Sequence, residues 1–186
     1  MHSFPIHSPE TAPEASRPLL QALEQAIGMV PNLAAGMSEA PSLLASFLTV
    51  GDIYRKGSFT EAEIQALALV SARENACDWC LAFHTMMAKK AGVPDDAVQA
   101  LRHGRAPSDS RLAQLTQFAR ELVRRRGAVP PEQVQRFLDA GFTQSQALEI
   151  VLGMAWSSMA NYSAHLVNPS LDAPLEPFAW RQSDAA

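Results

Sequence analysis

Cysteine is scarce in this sequence, which contains only Cys77 and Cys80 among its 186 residues. A disulfide that stabilises a fold usually closes a longer loop than this pair would, and structural disulfides are unusual in a reducing cytosol. We therefore expect the two cysteines to serve redox chemistry or metal binding rather than to hold the fold together.

Long apolar runs and an excess of positive charge are also lacking. No stretch of about 18 apolar residues is present, so the sequence predicts no membrane-spanning helix. The first residues carry neither a basic flank nor an apolar run, so we expect no secretory signal and a cytoplasmic protein. The net charge of −4 indicates no basic surface for nucleic acid or for an anionic membrane.

Strand-like alternation of apolar and polar residues is missing as well, and helical periodicity takes its place. Apolar residues recur at three- and four-residue spacing, and glycine or proline separates most of these segments. Helices are predicted over residues 17–27, 41–54, 60–74, 75–91, 95–103, 109–125, 131–139 and 143–161. Capping-box spacings, Thr60 with Glu63 and Thr143 with Gln146, mark two of the predicted helix starts. The sequence therefore predicts an all-α fold.

The chain is predicted to form one helical domain with two short extensions. Residues 1–15 are rich in proline and poor in large apolar side chains, which is typical of an arm, either loose or packed on a partner subunit. Residues 16–175 carry the helical domain, and residues 176–186 form a C-terminal tail. Apolar side chains on the last predicted helix indicate that the protein buries part of its surface in a homo-oligomer.

The thiol pair lies on a predicted helix together with a histidine. Cys77, Cys80 and His84 are three and four residues apart, so they share one face of that helix. Asn75 is the predicted N-cap, which would place both cysteines near the positive end of the helix dipole, where thiolate is favoured. The two sulfurs would then lie within reach of a disulfide.

These three side chains are what thiol-dependent peroxide reduction requires. A thiolate attacks a peroxide oxygen and becomes a sulfenic acid, which a second thiol converts to a disulfide, while a histidine moves the proton. Two other interpretations stay open at this point. The cysteines could pack in the core as small apolar residues, or the strip could bind zinc with His103 or His165 as a fourth ligand.

Longer stretches around this motif resemble the alkylhydroperoxidase D-like branch of the carboxymuconolactone decarboxylase family. The stretches are 28–32, 38–41, 60–64, 70–71, 74–80 with His84, and Asn161 with 165–172, so the resemblance spans residues 25–175. It implies a compact helical fold built around an antiparallel helix pair and assembled into trimers or hexamers. It also implies peroxide reduction without haem, flavin or metal, with electrons from an unidentified dithiol, which in relatives can be a lipoyl-bearing protein.

The resemblance also implies a role for each residue of the motif. Cys80 attacks the peroxide, Cys77 resolves the sulfenic acid, and His84 belongs to a proton relay completed by a glutamate on the preceding helix. This sequence has Gln65 at the position of that glutamate, and an amide does not carry a proton at neutral pH. We therefore predict that Glu63 takes over the role, with Glu74 as the alternative.

Two alternative functions remain. The decarboxylase branch of the same family acts on a cyclic lactone acid without a redox pair of cysteines, so the pair in this chain favours the redox branch. A non-catalytic, oligomeric redox sensor would react with one equivalent of peroxide and stop, whereas an enzyme would turn over with a dithiol.

Overall fold

The computed structural model describes residues 4–180, and all the regular structure in that range is helical. This confirms the predicted all-α fold. The α-helices of this range are α1 (Arg17–Ile27), α2 (Asn32–Met37), α3 (Pro41–Arg55), α4 (Glu61–Glu74), α5 (Asp78–Lys90), α6 (Asp95–Arg102), α7 (Ser110–Arg124), α8 (Pro131–Asp139) and α9 (Gln144–Val167). Two short 3₁₀ helices, Glu14–Ser16 and Ala173–Phe178, flank them.

Two differences from the predicted helices have simple causes. Helix α2 was not predicted, because six residues are too few to show helical periodicity. Helix α9 continues to Val167, beyond the predicted end at residue 161, because neither glycine nor proline lies between Asn161 and Asn168. Asn168 then ends the helix in a left-handed conformation, with φ of 48°.

Helix α4 is the centre of the fold. It contacts α5, α6, α7 and α9, and the nine consecutive residues Ile64–Ala72 are all buried. The predicted capping box is present at its start, where Thr60 and Glu63 bond reciprocally. Gln65 and Ser71 are the polar side chains in this buried run. Buried polar groups are tolerated when they are hydrogen-bonded, and both residues find their partners around the thiol pair.

A tight turn joins α4 to α5 and sets the position of the cysteines. Asn75 is the C-cap of α4, Ala76 adopts φ of 51°, and the Cys77 N–H donates to the Ala72 carbonyl at 2.9 Å. This is the hydrogen-bond pattern of a Schellman motif. Asn75 was predicted to be the N-cap of α5, and that prediction is wrong. Cys77 is the N-cap instead.

Both ends of the described chain pack on the helical domain. In the arm, Ala12 is buried and the His7 N–H donates to the Ala35 carbonyl. At the other end, the Trp180 ring lies beneath the guanidinium groups of Arg73 and Arg102, which are 5.2 and 5.3 Å from its centroid. The predicted arm and tail also include residues 1–3 and 181–186, which lie outside the described residues.

Helix α9 exposes an apolar stripe along one face. Leu148, Val151, Tyr162 and Leu166 are all exposed, with Leu148 at 73% and Leu166 at 69%. Their spacing places them within one narrow arc of the helix. Within residues 4–180, no helix is long and apolar enough to cross a membrane. An exposed apolar stripe of this kind is a candidate surface for contact with another copy of the chain.

We predict that the double substitution Leu148→Glu with Leu166→Glu dissociates a homo-oligomer, because it places charges in an apolar interface. Light scattering should give a multiple of the 20.2 kDa chain mass for the natural protein and one chain mass for the variant. The control is Gln135→Glu on the exposed side of α8, which should leave the mass unchanged. A natural protein of one chain mass at micromolar concentration would contradict the prediction.

Candidate active site

The thiol pair is built into the first turn of α5. Cys77 Sγ accepts a hydrogen bond from the backbone N–H of Cys80 at 3.3 Å, in the way that a serine or aspartate oxygen usually caps a helix. Both cysteines are free thiols and both are buried. The cap holds the two sulfurs side by side at the positive end of the helix.

The two thiols differ strongly in acidity. The Cys80 thiol donates a hydrogen bond to Cys77 Sγ, which lowers the pKa of the Cys77 thiol, although burial and the nearby Asp78 carboxylate oppose the change. The same hydrogen bond, together with burial and the charge on Cys77, holds the pKa of the Cys80 thiol well above its usual value. When the pair loses one of its protons, the negative charge is therefore favoured on Cys77 and the remaining proton on Cys80.

Asn161 of α9 presents an oriented amide to this pair. Its Oδ1 accepts hydrogen bonds from Ser71 Oγ at 2.9 Å and Asn75 Nδ2 at 2.8 Å. Among the described residues, Asn161 Nδ2 has no partner that meets the usual distance and angle of a hydrogen bond. The amide is nevertheless close enough to the two sulfurs to lower the pKa of both the Cys77 and the Cys80 thiol. An amide whose oxygen is held in this way must turn its N–H groups toward the sulfurs.

His84 lies one helical turn beyond Cys80 and is held from the other side by Gln65. His84 Nδ1 and Gln65 Oε1 are 2.8 Å apart, and Gln65 Nε2 donates to Glu61 Oε1 at 2.6 Å. Because the amide N–H group points to Glu61, its oxygen faces the imidazole and accepts the Nδ1 proton. The lone pair of His84 is therefore on Nε2.

His84 is uncharged at neutral pH. Burial lowers the pKa of its imidazole to about 3, and the positive charge of Arg55 contributes to the shift. A neutral imidazole with a free Nε2 can accept a hydrogen bond or a proton from a substrate.

The two glutamates predicted for the relay are engaged elsewhere. Glu63 accepts hydrogen bonds from the Thr60 backbone and hydroxyl, and its other oxygen pairs with Arg111. Burial raises the pKa of the Glu63 carboxyl, but these hydrogen bonds and the arginine outweigh it and lower the pKa overall. Glu74 binds two arginines of α7, Arg120 at 3.1 Å and Arg124 at 2.6 Å.

The structure thus brings Cys77, Cys80 and His84 together but does not bring Glu63 to His84. The reason is the helical turn angle: position 63 is two residues from Gln65 and so points about 200° away from it, toward the capping box. Glu61 is four residues from Gln65 and lies on the same face. The carboxylate connected to His84 is Glu61, through the Gln65 amide.

A cavity of about 580 Å³ opens beside the site. Cys80 and His84 line it, and Cys77 is not among its lining residues. Its walls are mostly apolar, with four methionines and two stacked aromatic pairs. The methionines are Met29, Met37, Met86 and Met87, and the pairs are Trp79 on Phe83 and Phe47 on Trp156, each with centroids 5.4 Å apart. Cavities of this size and character commonly bind organic molecules.

Residues 41–121 match the model of the carboxymuconolactone decarboxylase family. This segment runs from the start of α3 into α7 and contains the complete Cys77–Cys80–His84 strip. No curated protein is significantly similar to this chain in sequence.

Solved structures show the same fold over almost the whole chain. A peroxidase-related protein from Ralstonia eutropha JMP134, described as an alkylhydroperoxidase AhpD core, has a TM-score of 0.82 at 17% identity, covering 94% of this chain and 96% of its own. A peroxidase-related protein from Silicibacter sp. TM1040 has a TM-score of 0.77 at 19% identity, covering 94% and 92%. A cysteine-to-alanine variant of the debrominase Bmp8, in complex with 2,3,4-tribromopyrrole, has a TM-score of 0.76 at 17% identity, covering 96% and 95%.

Residues 41–121 of this chain thus match the carboxymuconolactone decarboxylase family, and the chain has the fold of the solved alkylhydroperoxidase AhpD core. The resemblance recognised in its sequence is thereby confirmed, as is the position of the cysteine pair at the start of a core helix.

The sequence did not reveal that Asn161 and Glu61 lie at the site. Asn161 is 84 residues from Cys77 in sequence, and only the packing of α9 on α4 brings the two together. Glu61 could have been found, because its four-residue spacing from Gln65 places the two side chains on one face of a helix.

The histidines considered as further zinc ligands have other contacts in the structure. His165 Nε2 and the Asn75 carbonyl oxygen are 2.7 Å apart, and His103 Nδ1 is 2.7 Å from the Gln99 carbonyl oxygen. Among residues 4–180, no group of three or more histidine, cysteine, aspartate and glutamate side chains is arranged to hold a metal ion.

We predict that Asn161→Ala raises the pH at which the thiol pair reacts with iodoacetamide, because the variant removes a donor that stabilises thiolate. Loss of the acceptor for Ser71 and Asn75 should also lower the free energy of unfolding by about 1–3 kcal/mol. Mass spectrometry of alkylation between pH 5 and 10 measures the first effect, and denaturant unfolding measures the second.

The matched control is Ser163→Ala on the same helix, whose hydroxyl donates to the Met159 carbonyl. It should leave the alkylation profile unchanged. If Asn161→Ala and Ser163→Ala gave the same profile as the natural protein, the Asn161 amide would have no electrostatic effect on the thiols.

Proposed function

We propose that this protein reduces organic hydroperoxides with the Cys77–Cys80 pair and is regenerated by a dithiol. The observation that carries the proposal is the hydrogen-bonded pair itself. Cys77, whose thiol pKa is lowered, contacts Cys80, which lines the cavity, and the neutral imidazole of His84 lies beside them. A purely structural role for the cysteines would not require one sulfur to cap the helix and the other to line a cavity.

The first step is a proton transfer between the two sulfurs. The Cys80 thiol passes its proton along the existing hydrogen bond to Cys77, so that the thiolate forms at the sulfur that the substrate can reach. The lower pKa of Cys77 makes this step uphill, and the hydrogen-bond donors around the pair, including Asn161, reduce its cost. His84 Nε2 accepts the hydroperoxide O–H and orients the O–O bond.

The second step breaks the peroxide. The Cys80 thiolate attacks the terminal oxygen and becomes a sulfenic acid, and the departing alkoxide takes the proton from Cys77 to become an alcohol. Cys77, again a thiolate, attacks the Cys80 sulfur and expels hydroxide, which is protonated to water from solvent through His84. Each sulfur loses one electron, and the peroxide gains two.

The third step is reduction of the disulfide by thiol–disulfide exchange with an external dithiol. The family resemblance suggests a lipoyl-bearing protein as one source. Such a cycle suits a reducing compartment such as the cytoplasm, with the protein acting as an antioxidant in homo-oligomeric form.

Gln65 and Glu61 act behind His84 in this scheme. The Gln65 oxygen fixes the Nδ1–H tautomer, and the Glu61 carboxylate, one turn further back, stabilises positive charge as Nε2 accepts a proton. The carboxylate therefore acts through an amide in this chain instead of touching the histidine directly.

A second candidate reaction is reductive debromination of an aromatic ring. Two observations support this reaction. The cavity is far larger than hydrogen peroxide requires, and it is lined by polarisable methionines and aromatic rings. The chain also shares its fold with a debrominase that binds 2,3,4-tribromopyrrole. Cys80 thiolate would take bromine from carbon, and the proton on Cys77 would replace it on the ring. Cys77 thiolate would then displace bromide from the Cys80 sulfur and form the same disulfide.

We predict that the natural protein consumes cumene hydroperoxide repeatedly with dihydrolipoamide, and that Cys80→Ser lowers turnover at least about a hundredfold, because it removes the nucleophile. The assay follows peroxide loss at steady state, with bromide release from 2,3,4-tribromopyrrole measured in parallel. Faster bromide release than peroxide loss would support the second candidate instead. Consumption of one equivalent followed by a stop would identify a sensor, and conversion of a lactone acid independent of Cys80 would identify a decarboxylase.

We predict that Glu61→Gln lowers peroxide turnover severalfold. The variant removes the negative charge behind His84, and it allows the Gln65 side-chain amide to rotate by about 180°. The matched control is Glu63→Gln, which keeps an oxygen for the capping box and should leave turnover unchanged. The pH profile of turnover distinguishes loss of the relay from a general loss of structure. A large effect of Glu63→Gln with none of Glu61→Gln would restore the assignment made from the sequence.

A further inference from the structure

Arg55 and Lys90 place two positive charges at the otherwise apolar cavity. Arg55 is the last residue of α3 and Lys90 the last residue of α5, and both side chains line the cavity. Among the described residues, Asp172 is the one acidic side chain that lines it. Its carboxylate is engaged in the wall, because Oδ1 accepts the Asn32 N–H at 3.0 Å and Oδ2 is buried beside the Trp79 indole. The charge available to a bound molecule is therefore positive.

The side-chain N–H groups of Arg55 are not used by the protein. Within residues 4–180 they make no hydrogen bond, and the one ion pair of Arg55 joins Nε to Glu61 Oε2 at 3.9 Å, with both side chains nearly half exposed. That separation is too long for a hydrogen bond, and an exposed pair of this kind contributes little to stability. The arginines of α7 differ, because Arg120 and Arg124 bind Glu74 at 3.1 and 2.6 Å. Arg55 therefore keeps donors that a ligand can use.

Trp156 holds the Arg55 side chain at the cavity. The guanidinium carbon lies over the Trp156 ring, 5.1 Å from its centroid. That ring is itself fixed, because it stacks on Phe47 and its indole N–H donates to the Phe47 carbonyl at 3.0 Å. A guanidinium that contacts an aromatic ring with its face still presents an edge of N–H groups, which matches the two oxygens of a carboxylate. Arg55 is thus both positioned and available.

Arg55 lies on the His84 side of the cavity, and Lys90 lies at the far end. The positive charge of Arg55 lowers the pKa of the His84 imidazole, which places the guanidinium within electrostatic range of that ring. Lys90 follows Cys80 by ten residues on α5 and is exposed, so it is about 15 Å from Cys80 along the helix axis. A carboxylate bound by Arg55 would therefore belong to the same molecule as a group that reaches Cys80.

We propose that Arg55 binds a carboxylate on the substrate, and that the substrate is an organic hydroperoxide acid whose apolar body lies in the cavity. The methionines and stacked aromatic pairs match the apolar body, and the cavity volume of about 580 Å³ matches an organic acid of moderate size. Arg55 determines specificity by binding the anion and takes no part in breaking the O–O bond. The inference rests on the proposed function in taking Cys80 as the reacting atom.

The carboxylate site can be tested by binding alone, in the full-length Cys80→Ser variant. Three probes of similar shape are titrated by calorimetry at neutral pH: para-isopropylbenzoate, its methyl ester and its primary amide. The benzoate is charged, and the other two are neutral. Charge-assisted hydrogen bonds to the guanidinium predict that the benzoate binds roughly tenfold or more tightly than the ester or the amide. Because the Arg55 side chain is nearly half exposed, this preference should decrease as the ionic strength rises.

Adding Arg55→Met to this background should abolish the preference for the benzoate, because methionine keeps an apolar stem and removes the charge. Adding Arg55→Lys keeps the charge without the planar fork and should retain only part of the preference. Lys90→Met removes the other cavity cation and should leave the preference intact. The control is Lys56→Met, which removes a neighbouring cation that pairs with Asp52 and is not among the lining residues of the cavity. It should change none of the three affinities.

Equal binding of the three probes, or a benzoate preference that survives Arg55→Met, would overturn the carboxylate site. Turnover with dihydrolipoamide separates this inference from the proposed function. The natural protein should have a lower KM for para-carboxycumene hydroperoxide than for its methyl ester, and Arg55→Met should remove that difference. Selective binding of the benzoate without peroxide turnover would keep the carboxylate site and contradict the proposed function. Peroxide turnover with equal KM values and equal binding would keep the proposed function and contradict the carboxylate site.

Discussion

The site depends on a helix cap in which a sulfur takes the place of an oxygen. Cys77 Sγ accepts the Cys80 N–H, so the capping atom of α5 is also one of the two redox atoms. Capping fixes the Cys77 side chain, and the first helical turn then places the Cys80 thiol against it. The same contact stabilises negative charge on Cys77 and retains the proton on Cys80. Helix geometry and acidity are therefore set by one interaction.

The core of the molecule is arranged to support that cap. Helix α4 is buried along Ile64–Ala72, and its polar side chains in that run, Gln65 and Ser71, both serve the site. Gln65 fixes the tautomer of His84, and Ser71 helps to hold the Asn161 amide against the sulfurs. A buried polar group that lost its partner would destabilise the fold by about 1–3 kcal/mol. The residues that shape the chemistry thus also contribute to stability.

Local signals in the sequence predicted most of the fold and three of the site residues. Periodicity located the long helices, the capping boxes at Thr60 and Thr143 marked two helix starts, and the spacing of Cys77, Cys80 and His84 placed them on one face. Local signals do not predict contacts between helices that are far apart in sequence, which is why the role of Asn161 was missed.

The assignment of Glu63 failed to match the structure for a local reason. Its capping-box spacing from Thr60 was recognised, but the spacing of four between Glu61 and Gln65 was not weighed. Asn75 was assigned to the wrong helix because an asparagine in a short turn can cap either neighbour, and here its side chain bonds Ser71 and Asn161.

The account makes one claim that is open to direct chemical observation: Cys80, the thiol that lines the cavity, is the sulfur that attacks, even though Cys77 is the more acidic of the two thiols. The measurement is trapping of sulfenic acid with dimedone, followed by peptide mapping, in Cys77→Ser and Cys80→Ser treated with cumene hydroperoxide. The account predicts an adduct at Cys80 in the first variant, where serine preserves the helix cap, and little at Cys77 in the second. Rapid labelling of Cys77 in Cys80→Ser, with none at Cys80 in Cys77→Ser, would contradict it.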